Sequence, residues 1–126
     1  MHSRPVATGR GFWWTDRLWV EAAGLPPRKV AIDQIPEFDR NCWFSEDLPP
    51  TCRAIAEHVR RINSADLQFP IVLAADGGLM DGGHRLAKAW LGEMTHISAV
   101  QFDRDPEPDW IEAAGTYMPF CGDASG

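Results

Sequence analysis

Apolar residues along this chain fall into short extended runs and stretches of helical spacing, punctuated by proline and glycine. Ile55, Val59 and Ile62 recur at intervals of four and three, one helical face, and Thr51 after Pro49 and Pro50 is a good N-cap, so a helix is predicted down to Asn63. Its opposite face carries Arg53, Glu57, Arg60 and Arg61, which read as solvated surface or, alternatively, as an anion-binding face. The run 69–74 is apolar and β-branched, and Asp76-Gly77-Gly78 after it is hairpin-turn chemistry, which predicts that Leu79 and Met80 pair back as a second strand. Gly82 and Gly83 interrupt that strand. Leu86, Ala87, Ala89, Trp90 and Leu91 then form the apolar part of a second helix that stops at Gly92, and 97–102 alternates as a closing strand.

Upstream, 12–23 reads as a short aromatic-rich helix, broken by Gly24-Leu25-Pro26-Pro27 before a first strand at 29–32. Residues 35–50, with three prolines and many acidic and aromatic side chains, read as a surface loop. Residues 1–11 and 121–126 show no periodicity and are expected to be disordered. The order of elements predicts an α+β fold, a small mixed sheet with flanking helices. Three segments are expected: an aromatic-rich N-terminal extension (1–27), a domain (28–104) and a tail (105–126).

Composition narrows the setting. At 126 residues the chain suits one domain, and a formal net charge of -6 repels polyanions unless basic residues gather on one face. No apolar stretch is long enough to span a membrane and no secretory leader is visible, so a cytoplasmic location without membrane contact is expected. Cys42, Cys52 and Cys121 form no CxxC pair, so reduced thiols and no metal site are expected. Trp13, Trp14 and Trp19 cluster near the N-terminus, either to cover a core edge or subunit contact, as in a protein partner or a homodimer, or to stack on bases.

The candidate chemistry lies at Asp81-Gly82-Gly83-His84-Arg85, a strand end, a glycine turn and a helix start. Glycines let the backbone approach a phosphate, the first helical amides lack internal partners, and the helix dipole adds roughly half a positive charge there. Arg85 brings a permanent cation, and His84 two ring nitrogens that donate or accept near neutral pH, unless it is a buried, satisfied histidine. Asp81 either holds the turn, by accepting amide bonds or orienting His84, or serves a substrate or Mg²⁺. The spacing matches neither GxGxxG nor a P-loop.

At these residues the chain resembles the ParB/sulfiredoxin superfamily. The stretch 80–89, MDGGHRLAKA, looks like a DGxHRxxA variant of its motif, and the likeness covers 29–102, specific over 79–102 and loose before that. The resemblance implies that Asp81, Gly82, Gly83, His84 and Arg85 bind a nucleotide such as ATP, ADP or CTP, with Mg²⁺ as its usual companion. Sulfiredoxins carry a reactive cysteine just before the His-Arg pair, where this chain has Gly83, so sulfinic acid repair is not expected. Chromosome-partitioning members continue into a DNA-binding domain, whereas this chain ends at Gly126, soon after the last predicted strand, so a DNA clamp is not expected either.

A third branch, similar to free-serine kinases, uses an acidic loop residue as base. Here Glu37 is the first candidate and Asp39 the second, with Glu46 and Asp47 in the same loop, although a loop carboxylate is more often solvated surface than a base. Trp43 and Phe44 either flank a base or pack on the helix after Thr51. Three functions compete: phosphotransfer to a small metabolite or nucleotide hydrolysis, with His84 and a loop carboxylate in the catalytic roles; a non-catalytic nucleotide-responsive or protein-interaction module; and a ParB-like DNA-binding protein or nuclease, which the acidic balance disfavours.

Overall fold

The central run 69–74 is continuous in apolar character because its strand is buried on both faces. The computed structural model describes residues 1–113. In chain order these form β1 (His2–Val6), β2 (Gly9–Trp13), α1 (Thr15–Ala22), β3 (Arg28–Ala31), α2 (Cys52–Ser64), β4 (Ile71–Leu73), β5 (Leu79–Asp81), α3 (Gly83–Leu91), β6 (His96–Gln101) and β7 (Trp110–Ala113). Two 3-10 turns follow β3: Ile32–Gln34, which takes the last residue of the expected strand, and Pro36–Asp39, inside the segment expected as loop.

The larger sheet has strand order β3-β6-β4-β5 and is mixed: β4 runs parallel to β6, while β3–β6 and β4–β5 are antiparallel. Alternation sends Ile71, Leu73, Leu79, Ile97 and Ala99 to one face, where Leu86 and Ala89 of α3 and Ile32 and Ile35 cover them. Val72, Met80 and Val100 point the other way, and with Ala74 and Phe102 they meet Trp13 of β2 and Leu18 and Ala22 of α1. The predicted α+β class is therefore observed, with helices on both faces of the sheet.

The N-terminal expectation was wrong. Residues 2–13 form an antiparallel hairpin, in register from His2 with Trp13 to Val6 with Gly9, and β7 pairs with β2 to complete a second sheet of order β1-β2-β7. Glycine and proline there read as loop residues, but Gly9 marks a close approach. Its φ is 149° and an added Cβ would lie 2.0 Å from the Glu112 carbonyl oxygen. The helix expected over 12–23 is correspondingly shorter, since Phe12 and Trp13 belong to β2. Strand β7 falls in the expected tail, and 114–126, including the rest of that tail, lies outside the described residues.

Helix α2 forms as its cap foretold, with Thr51 Oγ1 accepting from Ala54 N at 3.1 Å. Its apolar stripe does not reach the core, however: Ile55 and Val59 are 48% and 47% exposed, and Ala54, His58, Ile62 and Ala65 are only half-buried. The helix packs instead against α3, where Lys88 Nζ donates to the carbonyls of Asn63 and Ala65 at 3.0 and 2.7 Å.

Helix α3 ends at Leu91 with Gly92 as its C-cap, where it was expected to stop, but the left-handed residue is the one after that glycine. Gly92 has φ -81°, and Glu93 takes the left-handed conformation at φ 64°. Glu93 N donates to Trp90 O at 2.9 Å and Met94 N to Ala89 O at 3.0 Å, the bond pair of a Schellman motif. Glycine is the residue that adopts this conformation without steric cost. Glu93→Gly is therefore expected to stabilise the chain by about 0.5–1 kcal/mol, read as a higher urea midpoint at unchanged slope.

Candidate functional site

The glycine turn is held open by its neighbours. Gly82 caps α3 with φ 116° and ψ 23°, and an added Cβ would sit 2.5 Å from Ile71 Cγ2, so only glycine lets β5 turn into α3 against β4. The first bond of α3 is Leu86 N to Gly82 O at 2.9 Å. The amides of Gly83, His84 and Arg85 have no protein acceptor among the described residues.

These amides belong to residues lining a cavity of about 420 Å³. Its other walls include His2 and Ser3 of β1, Cys42 and Trp43 of the 40–51 loop, Arg61 of α2, and Asp81. Arg85 is anchored rather than solvated. Its guanidinium lies 5.3 Å from the Trp19 ring centroid and 5.9 Å from that of Phe69, and Nη1 is 3.6 Å from Asp81 Oδ2. Its Nε is buried without a hydrogen-bond partner. The same holds for Nε2 of His2, a side chain 8% exposed, and burial lowers the pKa of that imidazole to about 3, so it is neutral at physiological pH. Arg85 and His2, two residues of the same cavity wall, thus each carry a buried nitrogen without a partner.

Asp81 neither caps the turn nor orients His84. Its Oδ2 accepts from Trp19 Nε1 at 2.8 Å, and the same oxygen faces Arg85. Oδ2 thus fixes the cation and the indole. Among the described residues, no group of three or more His, Cys, Asp or Glu side chains is placed to hold a metal ion.

His84 turns to α2, where its Nε2 lies 2.8 Å from Nδ1 of His58. Trp43 lies flat over both imidazoles, with centroid distances of 4.7 Å to His84 and 4.6 Å to His58, and Phe44 meets His58 edge-on. Trp43 and Phe44 thus pack against α2. Burial is the main cause that lowers the proton affinity of both histidines. At His84 the charges of His58 and Arg61 add to it and Asp81 opposes; at His58 Arg61 adds and Glu57 opposes.

The candidate bases lie apart from this cavity. Glu37 is buried, and its Oε1 accepts from Leu79 N at 2.8 Å while Oε2 lies 3.9 Å from Arg40 Nη1. It lines a neighbouring cavity of about 250 Å³, whose wall also includes Gly83 and Trp43. Asp39 and Glu46 are exposed and line neither cavity. Asp47 borders a third, open cavity of about 620 Å³ between the loop and α2, which shares Cys42, Trp43, Arg61 and His84 with the first.

Among the residues of the site, His2, Trp19 and His58 were not assigned to it from sequence, and Arg61 was read only as part of a solvated or anion-binding face. His58 and Arg61 are three apart and so share the helical face turned to α3, a signal that the apolar stripe of α2 outweighed. For His2 and Trp19 no signal exists without the fold. Compared with family models, curated proteins and solved structures, the chain finds no match.

Proposed function

We propose that this chain is a ParB/sulfiredoxin-like domain that binds the phosphate groups of a nucleotide, such as ATP, ADP or CTP, at Gly82-Gly83-His84-Arg85. The observation that carries this reading is the start of α3 itself, where the amides of Gly83, His84 and Arg85 lack a protein acceptor and their residues line one cavity beside the turn. Arg61 adds a second cation to the wall. Backbone donors, a helix N-terminus and a guanidinium are the groups that recognise phosphate oxygens. Mg²⁺ enters with the nucleotide, held by its phosphates.

Phosphotransfer or nucleotide hydrolysis is the second reading, favoured by one observation: Glu37 and Gly83 line the same 250 Å³ cavity, where an acceptor hydroxyl would have room. As a base, Glu37 would have to release the Leu79 amide. Binding without turnover requires no such change and is the primary reading. No helix among the described residues is long and apolar enough to cross a membrane.

Thermal denaturation with ATP, ADP, CTP and GTP, with and without Mg²⁺, tests the proposal. At 100 times its Kd a nucleotide stabilises the folded state by about 2.7 kcal/mol, a rise of several degrees in midpoint. Arg85→Ala is expected to abolish the rise, each variant being compared with its own ligand-free midpoint because the substitution also removes packing on Trp19. No rise with any nucleotide at millimolar concentration overturns the reading, and a salt-dependent rise with duplex DNA alone selects a DNA-binding function instead. Release of phosphate or AMP, lost in Glu37→Gln, selects the enzyme.

A further inference from the structure

We propose that His58 is a positioning residue for this phosphate site: it shares one hydrogen with His84, and the pair takes up one further proton when a dianion occupies the turn. This rests on the phosphate reading above and adds a regulator of it, proton concentration.

The two rings meet edge to edge. Their centroids are 5.1 Å apart, their planes differ by 14°, and 2.8 Å separates the facing nitrogens. Only one hydrogen fits between them, so the neutral pair adopts complementary tautomers, one ring donating and the other accepting. Trp43 covers both, with interplanar angles of 11° and 6°, and keeps the rings in line.

An added proton goes to whichever outer nitrogen is bare. The bridge survives and becomes charge-assisted, and both outer nitrogens then carry hydrogen. The outer nitrogen of His84, a residue of the cavity wall, is thereby a donor whichever ring holds the charge. A second added proton would set one N–H against another. The pair therefore stores one proton and titrates as a unit.

The charged and titratable groups around it come from every packed element: Glu57 and Arg61 on α2, Asp81 and Arg85 at the turn, the amine of Met1 and His2 at the N-terminus, and Cys42 and Asp47 on the loop. Burial and the arginines hold the pair neutral at physiological pH. A dianion beside Arg85 and Arg61 offsets those cations and favours the proton. By linkage, the dianion then binds more tightly as pH falls.

Sulfate is a suitable probe because its own charge is constant between pH 8 and 5. Imidazole nitrogen resonances of the full chain are followed over that range, with and without sulfate. His58 and His84 are expected to shift in one common step, which saturating sulfate raises by about one pH unit, equivalent to about tenfold tighter sulfate binding at the acid limit. In His58→Phe, which keeps a ring under Trp43, His84 titrates alone and sulfate binding at pH 6 weakens.

Two independent midpoints in the wild type overturn the shared hydrogen. A common step that sulfate does not move, while the amides of Gly83 and His84 respond to it, overturns the coupling and leaves the phosphate site standing. No amide response at any pH overturns both. If His58→Phe does not fold, the wild-type titration decides alone.

Discussion

Replacing Gly82 with alanine is expected to cost about 3–5 kcal/mol and to lower the thermal midpoint by roughly 12 °C or more. Two costs combine. At φ 116° an L side chain is strained, and its Cβ would lie 2.5 Å from Cγ2 and 2.9 Å from Cβ of Ile71, which is 0% exposed and has nowhere to move. Relief requires β5 and the start of α3 to back away from β4, which also displaces the amides that face the cavity. Nucleotide binding should therefore fall together with stability. Gly83→Ala is the control. Its φ is not positive, the new Cβ meets Trp43 Nε1 at an ordinary 3.5 Å, and the expected change is within about 1 kcal/mol. Urea melts of the two variants decide the matter, and equal effects would refute the close approach of Gly82 to β4.

Leu18→Ala is expected to cost about 3–4 kcal/mol. Leu18 is fully buried and packs in one cluster with Val72, Met80, Val100 and Phe102 of the larger sheet, so truncation leaves a cavity under the sheet rather than a gap in an appendage. Val20, in the same helix but 73% exposed, should tolerate alanine within about 0.5 kcal/mol. A single cooperative transition at lower denaturant in Leu18→Ala identifies α1 as part of the folding unit. If Leu18→Ala leaves the melt unchanged, α1 is instead an independent extension. Because Trp19 of the same helix holds Asp81, the variant should also weaken binding at the turn.

The elements that local chemistry specifies were legible. Thr51 announces a helix because its hydroxyl satisfies an amide of the first turn, and the Asp76 side chain accepts from Gly78 N to set the β4–β5 hairpin, at 2.9 Å. The apolar run before that hairpin marks a buried strand. The local hairpin of β1 and β2 was not legible because Pro5, Gly9 and Gly11 lower strand propensity, and β7 was not because it pairs with β2 about a hundred positions away, as Ala113 does with Gly9. Contacts of that separation leave no local pattern.

The same division runs through the site. Sequence by itself determined that Asp81 to Arg85 make a glycine turn opening a helix, because glycine conformational freedom and the orphaned amides of a helix start are properties of consecutive residues. Tertiary structure alone decided what that turn faces. Trp19 from α1 takes Asp81, Leu79 takes the Glu37 carboxylate, and His58 from α2 takes His84, each across a long sequence separation. Hydrogen bonds of this kind are set by which surfaces the sheet brings together. The residue types state only that a donor or acceptor is present; the fold selects its partner, and with it the charge and hydrogen-bonding state that the cavity offers a ligand.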